Sequence, residues 1–281
     1  MSYLLTDELR LRGGYAQGFR APQAFNEDLH ISSVGGEQQF VILSENLEAE
    51  FSNAFTGSLN YTNSLNLLQM DFLIEGFYTT LENPFILVST SASLPNGSIL
   101  EEVRNGENAR VFGSNFEIGI SPDSKWRFQL GGTVQRTEYD QPQTIFETEG
   151  ALGENDIIIE EFVRVPNYYG YFNTNWQLSR IFDLDVTSTY TGPMIVPRVI
   201  SETGFLSLNE VNPFFDLNIK IESHFDINKD FKLTVSAGVK NLFNSYQNDF
   251  DIGAGRDSDY IYGPNQPRTF FLGIKFGNFY P

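Results

Sequence analysis

The stretch EAEFSNAFTGSLNY, Glu48 to Tyr61, decides the fold of this 281-residue chain. Phe51, Phe55, Leu59 and Tyr61 share one parity, and Glu50, Ser52, Thr56, Ser58 and Asn60 share the other, with Gly57 keeping the count. A period of two places alternate side chains on opposite faces of a strand, so one face is apolar and the other polar. The same reading sets Met70, Phe72, Ile74 and Tyr78 against Gln69, Asp71, Glu75 and Thr79, and Phe128, Leu130 and Val134 against Arg127, Gln129, Thr133 and Gln135. Downstream, Phe172, Trp176 and Leu178 oppose Tyr171, Asn173, Asn175 and Gln177, while Phe182, Leu184, Val186 and Tyr190 oppose Asp183, Asp185, Thr187 and Thr189. Phe215 to Phe225 and Phe231 to Val239 repeat it. With strands near Leu9 to Gln17, Arg110 to Ile120 and Arg268 to Phe276, the expectation is about ten strands of roughly nine to fourteen residues.

That length selects an environment. Strands of soluble proteins average about five or six residues, whereas about ten residues at ~3.4 Å each, tilted ~45°, cover the ~24 Å apolar band of a bilayer. The connections agree. Turns at 62–66 (TNSLN), 121–124 (SPDS), Ser179–Arg180 and 226–230 (DINKD) alternate with long segments at roughly 19–47, 82–108, 140–165, 192–213 and 245–266. An outer-membrane barrel has this arrangement of short periplasmic turns and long extracellular loops. The expected fold is therefore all-β, an antiparallel up-and-down transmembrane barrel sheet, with ragged loops at one end.

Composition narrows the function. Aromatics reach 15% within a hydrophobic content of only 41%, so rings need an apolar surrounding that a modest core would not supply. No stretch approaches the ~18 apolar residues of a membrane helix. A net charge of −18 repels phosphate and argues against nucleic acid as a partner. The absence of Cys removes thiol nucleophiles and Cys-ligated metals. The N-terminus MSYLLTDELRLRGGY lacks the tripartite pattern of a signal peptide. No Ser/His/Asp set is visible, so an enzyme is not expected, and no cofactor is expected either.

Several segments carry a family resemblance: GYAQGFRAPQAFNEDLH (Gly14 to His30), IEGFYTTLENPF (Ile74 to Phe85), RVFGSNFEIGI (Arg110 to Ile120) and VSAGVKNLFNSYQ…YIYGPNQPRTFFLGIKF (Val235 to Phe276). The chain resembles the C-terminal part of the barrel of TonB-dependent outer-membrane receptors of Bacteroidetes type, including those labelled siderophore, colicin or cobalamin receptors. Its signature residues by this resemblance are Phe19, Arg20, Pro22, Asn241, Phe243, Gly263, Pro264, Pro267 and Arg268. The resemblance implies a 22-stranded barrel, a plug domain and TonB box with no counterpart here, and uptake of a metal chelate, iron–siderophore first and cobalamin next, energised through TonB. It also implies outer-membrane lipid and lipopolysaccharide around the barrel, and recognition of the apolar tail Phe270, Leu272, Ile274 and Phe276 by barrel-assembly machinery. The alternative architecture closes the ten strands on themselves as a passive pore or anchor.

Ligand-binding candidates are the loop residues Phe85, Tyr139, Phe146, Arg198 and Tyr260, since rings and guanidinium groups suit large, often anionic chelates. Loop packing or an interfacial girdle is the plainer reading. Glu147, Glu149, Glu154, Asp156, Glu160 and Glu161, and again Asp249, Asp251, Asp257 and Asp259, are carboxylate groupings without the spacing of a calcium loop, and solvated loops account for them. His30 and His224 read as ordinary polar residues, Gly35–Gly36 and Gly253–Gly255 as no phosphate loop, and Asp183 with Asp185 as a hydrated luminal pair. No metal site is expected.

Overall fold

The computed structural model describes residues 1–22, 39–93, 99–148, 156–200, 205–228, 231–253, 256–257 and 259–277. Its strands, in chain order, are β1 (Ser2–Leu4), β2 (Leu9–Arg20), β3 (Gln39–Leu43), β4 (Glu50–Leu65), β5 (Leu68–Glu82) and β6 (Phe85–Ser93). Next come β7 (Ile99–Asn105), β8 (Ala109–Asp123), β9 (Trp126–Tyr139), β10 (Gln143–Glu147), β11 (Ile157–Ile159) and β12 (Tyr168–Gln177). The last six are β13 (Phe182–Thr191), β14 (Met194–Ile200), β15 (Phe205–Val211), β16 (Phe214–Asp226), β17 (Lys232–Lys240) and β18 (Thr269–Gly277). Ten of them are the long strands expected from the alternation. They run antiparallel in one sheet of order β1-β2-β4-β5-β8-β9-β12-β13-β16-β17-β18, with the short β1 as an eleventh member.

Tight turns join neighbours at one end, and each has a local cause. Asn66, at φ 57°, takes the left-handed conformation in the two-residue link from β4 to β5. The Asp123 carboxylate accepts the N–H of Lys125 at 2.8 Å and of Trp126 at 3.0 Å, and the Ser179 hydroxyl accepts those of Ile181 and Phe182, both at 3.2 Å. Side-chain oxygens thus complete the turns.

Register keeps the two faces separate across every ladder. Phe55 stands opposite Tyr15 and Tyr78, Ile74 opposite Leu59 and Phe116, and Val186 opposite Thr174 and Ile219. On this face Phe55, Ile74 and Val134 are 52, 56 and 60% exposed, and no layer among the described residues covers them. Aromatic pairs border it at two levels. Tyr61–Phe72 (6.1 Å between ring centres), Trp126–Trp176 (5.8 Å) and Phe231–Phe276 (5.4 Å) lie toward the short turns. Tyr15–Phe55 (4.9 Å), Tyr78–Phe112 (6.3 Å) and Tyr168–Tyr190 (6.0 Å) lie toward the long connections. Along β4 and β5 the two levels are separated by about 20 Å at ~3.4 Å per residue; beyond the upper one Phe19 and Phe51 continue the outer face on β2 and β4, while on β8 and β9 it turns charged, with Arg110 and Glu138 paired at 2.8 Å. Two aromatic levels flanking an apolar band are the arrangement that outer-membrane barrels carry.

Two expectations change. Closure of the ten strands on themselves is not what forms: β1 and β18 stand at the two ends of the sheet without a ladder between them, so the sheet is open. The long connections are not ragged either. They build a five-stranded sheet of order β11-β10-β6-β7-β3, with parallel pairing of β10 with β6 and β3 with β7, and the β14–β15 hairpin. Short segments of three to nine residues with mixed periods hid these strands inside loop-like composition.

Candidate functional site

Among the described residues, every buried hydrophobic side chain lies in this loop bundle or at the strand ends that enter it: Val88, Ala109, Ile145, Phe146, Ile159, Met194, Val196, Val211, Phe214 and Tyr260. Met194, Val196, Val211 and Tyr260 form one cluster with Tyr262 against it. The bundle is therefore a packed body, able to hold functional groups in place above the sheet.

The last connection, from β17 to β18, is anchored by residues that the family resemblance singles out. Asn241, at φ 50° and buried, receives the Ser245 N–H on its Oδ1 at 2.8 Å and donates through Nδ2 to the carbonyls of Ser245 (3.1 Å) and Gln266 (2.8 Å). One side chain thereby ties both ends of the connection together. Phe243 stacks on Phe215 at 5.7 Å, and Asn244 accepts the Arg268 N–H at 2.9 Å. Gly263 lies under the Phe214 ring, where an added Cβ would stand 2.3 Å from a ring carbon, so any larger residue would have to displace that ring. The Pro264 carbonyl accepts the Gln247 N–H at 2.9 Å. Gln247 itself, 1% exposed, donates to the Tyr260 carbonyl at 2.9 Å and accepts from the N–H groups of Tyr262 (2.9 Å) and Gly263 (3.2 Å). Its role is invisible in sequence, because a lone Gln in a polar stretch carries no periodic signal. At the other end of the chain, Phe19 points outward, the Arg20 guanidinium lies 5.3 Å above the Phe85 ring, and β2 ends just before Pro22. Pro267 and Arg268 lead into β18.

The five ligand-binding candidates are distributed through the bundle rather than gathered at one surface. Phe85 is held beneath Arg20, with its N–H on the Glu50 carboxylate at 2.9 Å. Tyr139 packs on Phe162 at 4.9 Å. Phe146 is 1% exposed and meets Phe205 edge-on at 6.1 Å, so it serves packing and offers no surface to a ligand. Arg198 and Tyr260 do come together, the guanidinium 4.7 Å over the ring, but Arg198 is also ion-paired with Asp251.

The carboxylates have structural partners too. Asp249 accepts both the Tyr262 hydroxyl (2.7 Å) and the Tyr260 hydroxyl (3.2 Å), and burial together with this carboxylate pushes the Tyr262 phenol well above the usual range. Asp257 accepts the N–H groups of Val199 (2.8 Å) and Asp259 (2.9 Å), and burial raises its pKa despite those bonds. Glu147 grips Arg104 through both oxygens, at 2.8 and 3.2 Å, and Glu102 takes the same guanidinium at 2.9 Å. Asp156 accepts the Thr148 N–H at 2.9 Å, the Glu160 carbonyl accepts the Tyr139 N–H at 2.8 Å, and Glu161 receives Asn167 at 3.5 Å. No grouping of three or more potential ligands able to hold a metal occurs among the described residues. His30, Glu149, Glu154 and Gly35–Gly36 lie outside the described residues.

One acidic residue was not singled out from sequence. Glu101 on β7 is 5% exposed and takes the parity of Ile99 and Val103, so a carboxylate at an apolar register position was the available signal. It borders a cavity of about 190 Å³ walled by Leu87, Ile145, Pro197, Val199 and Leu206, with Arg164, Asp257 and Asp259 also on its lining.

The polar face of the sheet carries its own network. Asp183 and His224 are 2.9 Å apart and Thr234 lies 3.1 Å from the other ring nitrogen, while Lys220 bridges Asp185 (2.9 Å) and Glu222 (3.5 Å). Asp183 is thus held by His224, and Asp185 by Lys220 and Asn175, on one wall. Above them Asp185, Asn218, Lys220, Lys240, Asn241 and Gln266 line a hollow of about 630 Å³. The face has room because rings lie on glycines: Tyr171 covers Gly131 and Phe271 covers Gly238, where an added Cβ would come within 2.5 and 2.3 Å of neighbouring atoms.

Residues 1–242 match the family model described as TonB dependent receptor-like, beta-barrel. Among solved structures the fold is similar to the closed form of the ferric-catecholate import receptor Fiu from E. coli K12, with a TM-score of 0.63 at 16% identity over 99% of this chain and 34% of that one. It is also similar to the siderophore receptor PirA from Pseudomonas aeruginosa (TM-score 0.61, 14% identity, 99% and 41%). A mutant of the ferric enterobactin receptor PfeA from the same organism gives a TM-score of 0.58 at 17% identity, with 99% and 39% covered. The chain spans about two fifths of the length of these structures. Comparison with curated protein sequences gave no match.

Proposed function

Since the chain belongs to the TonB-dependent receptor β-barrel family, whose members are outer-membrane barrels, we propose that it forms part of a receptor that binds an iron–siderophore complex outside the cell and admits it with energy from TonB. The observation that carries this reading is the union of two bodies in one chain: an apolar-banded sheet of membrane-length strands, and a packed loop bundle at one end of it. The bundle faces outward, where it meets the ligand, and the polar face of the sheet lines the passage. Similar folds in three receptors named for siderophore or ferric-catecholate uptake support iron over cobalamin. The open edges argue against a self-contained pore. Unsatisfied backbone groups in hydrocarbon cost several kcal/mol each, so β1 and β18 pair with further strands of a larger barrel. The reading assigns transport rather than catalysis. The apolar tail from Phe270 to Phe276 is the segment we assign to the barrel-assembly machinery.

The test is uptake of radioactive iron by iron-starved cells with and without the gene. Uptake of at least one ferric siderophore falls to background on deletion and on collapse of the proton gradient, and is restored by complementation. Equal uptake in both strains for every chelate supplied overturns the proposal.

A further inference from the structure

Resting on that reading, we infer that the chelate recognised here carries a net positive charge, with a pendant aminoalkyl arm seated in the cavity beside Glu101. Three observations converge. The five long connections, residues 21–49, 83–108, 140–167, 192–213 and 241–268, hold 21 acidic residues against five basic ones, a net of −16 out of the chain's −18. By sequence these connections repel an anion on balance and steer in a cation.

Three of the five arginines in these connections are committed. Arg104 is held by Glu147 and Glu102, and its Nε is buried without a partner; Arg198 is paired with Asp251; Arg164 donates to the Ile261 carbonyl at 3.2 Å. Those three guanidinium groups are spent inside the bundle and are not offered to a catecholate complex.

Glu101 supplies the third observation. It is buried, its Oε1 accepts the Ser89 hydroxyl at 2.9 Å, and no cationic side chain forms an ion pair with it among the described residues. Burial, with Asp257 and Asp259 adding repulsion, raises its pKa. A buried carboxylate facing two others across a cavity, with Arg164 as the one basic residue on the lining, is an arrangement that a bound cation would relieve. The cavity's volume is that of about six water-sized groups, which fits an aminoalkyl arm and excludes a whole chelate. The aliphatic walls suit methylenes, and the carboxylates suit the ammonium.

The experiment uses outer membranes containing the intact receptor and three ferric probes: a linear trihydroxamate with a free terminal ammonium, the same chelate N-acetylated, and a trianionic tris-catecholate. The cationic form binds at least ~10-fold more tightly than the acetylated one, the gap closing as salt is raised. In E101Q, and in E101Q combined with D257N, that gap shrinks. Heat-modifiable migration confirms folding, and should a variant not fold, the free-versus-acetylated comparison on the unaltered receptor decides. Equal or tighter binding of the acetylated or catecholate probe overturns this inference while leaving the receptor reading standing. Binding of no chelate above membranes lacking the receptor overturns both.

Discussion

The wall and the loop bundle solve opposite solvent problems with one chain. In the wall, residues such as Phe55, Ile74 and Val134 are more than half exposed and nothing among the described residues covers them, because in an outer-membrane barrel hydrocarbon takes the place of a core. In the bundle, Phe146 and Val196 are closed off from solvent as in a water-soluble domain. The wall obtains its order from unbroken ladders, such as the fifteen paired positions between β4 and β5. The bundle obtains it from side-chain packing and from polar hubs such as Asn241 and Gln247. Mutations should therefore divide by region, failing through lipid contact in one and through cavities or lost hydrogen bonds in the other.

The largest effect is expected at the bundle's centre. Phe146→Ala removes a fully buried ring and should cost about 3–5 kcal/mol, read as loss of hydrogen-exchange protection in β6, β10 and β14 while the wall strands keep theirs. Loss of protection spreading equally into β4 and β5 would show that the two regions are one cooperative unit. In the wall, Ile74→Arg places a charge midway between the girdles. It should cost about 2–4 kcal/mol, measured as a lower urea midpoint in lipid vesicles, whereas Glu75→Arg on the polar face, one residue away, costs far less. Equal costs at the two positions would refute the assignment of faces.

Asn241→Ala tests the link between regions. It strands the Ser245 N–H and the Gln266 carbonyl, for about 1–3 kcal/mol, with exchange rising across residues 241–268 and β18 losing protection at its loop end. The smallest effect is a pH dependence of the bundle alone. The Glu101 and Asp257 carboxyls sit above their ordinary values of 4.5 and 3.8, so the closed bundle holds more protons than the opened one. Protection should be full below those ordinary values and decline as pH rises through the raised ones. Asp259 repels both groups and Arg164 partly offsets this at Asp257. E101Q should flatten the decline that sets in above the ordinary carboxylate value of 4.5, as followed by exchange at matched intrinsic rates.

The wall was legible from residues alone because its period of two is the same in water-facing and lipid-facing terms: Phe51 to Tyr61 alternates whatever covers the outer face. The bundle was much less so. Its strands, such as β10 (QTIFE) and β14 (MIVPRVI), are short, and their pairing spans distant connections; β10 lies parallel to β6 some sixty residues earlier. The candidate residues Phe146, Arg198 and Tyr260 were visible as aromatic and basic residues in loops, yet their exposure and pairing were not. Glu101 showed itself faintly, as a carboxylate on an apolar parity.

Sequence by itself determined the strand count, the two faces, the positions of the turns and the acidity of one end, because each follows from local periodicity or simple charge. Tertiary structure alone decided that the sheet stays open, that the long connections pack into a second body, and which charges there are already neutralised. Those outcomes depend on contacts between residues far apart in the chain, where one partner's identity says nothing until the other is brought beside it.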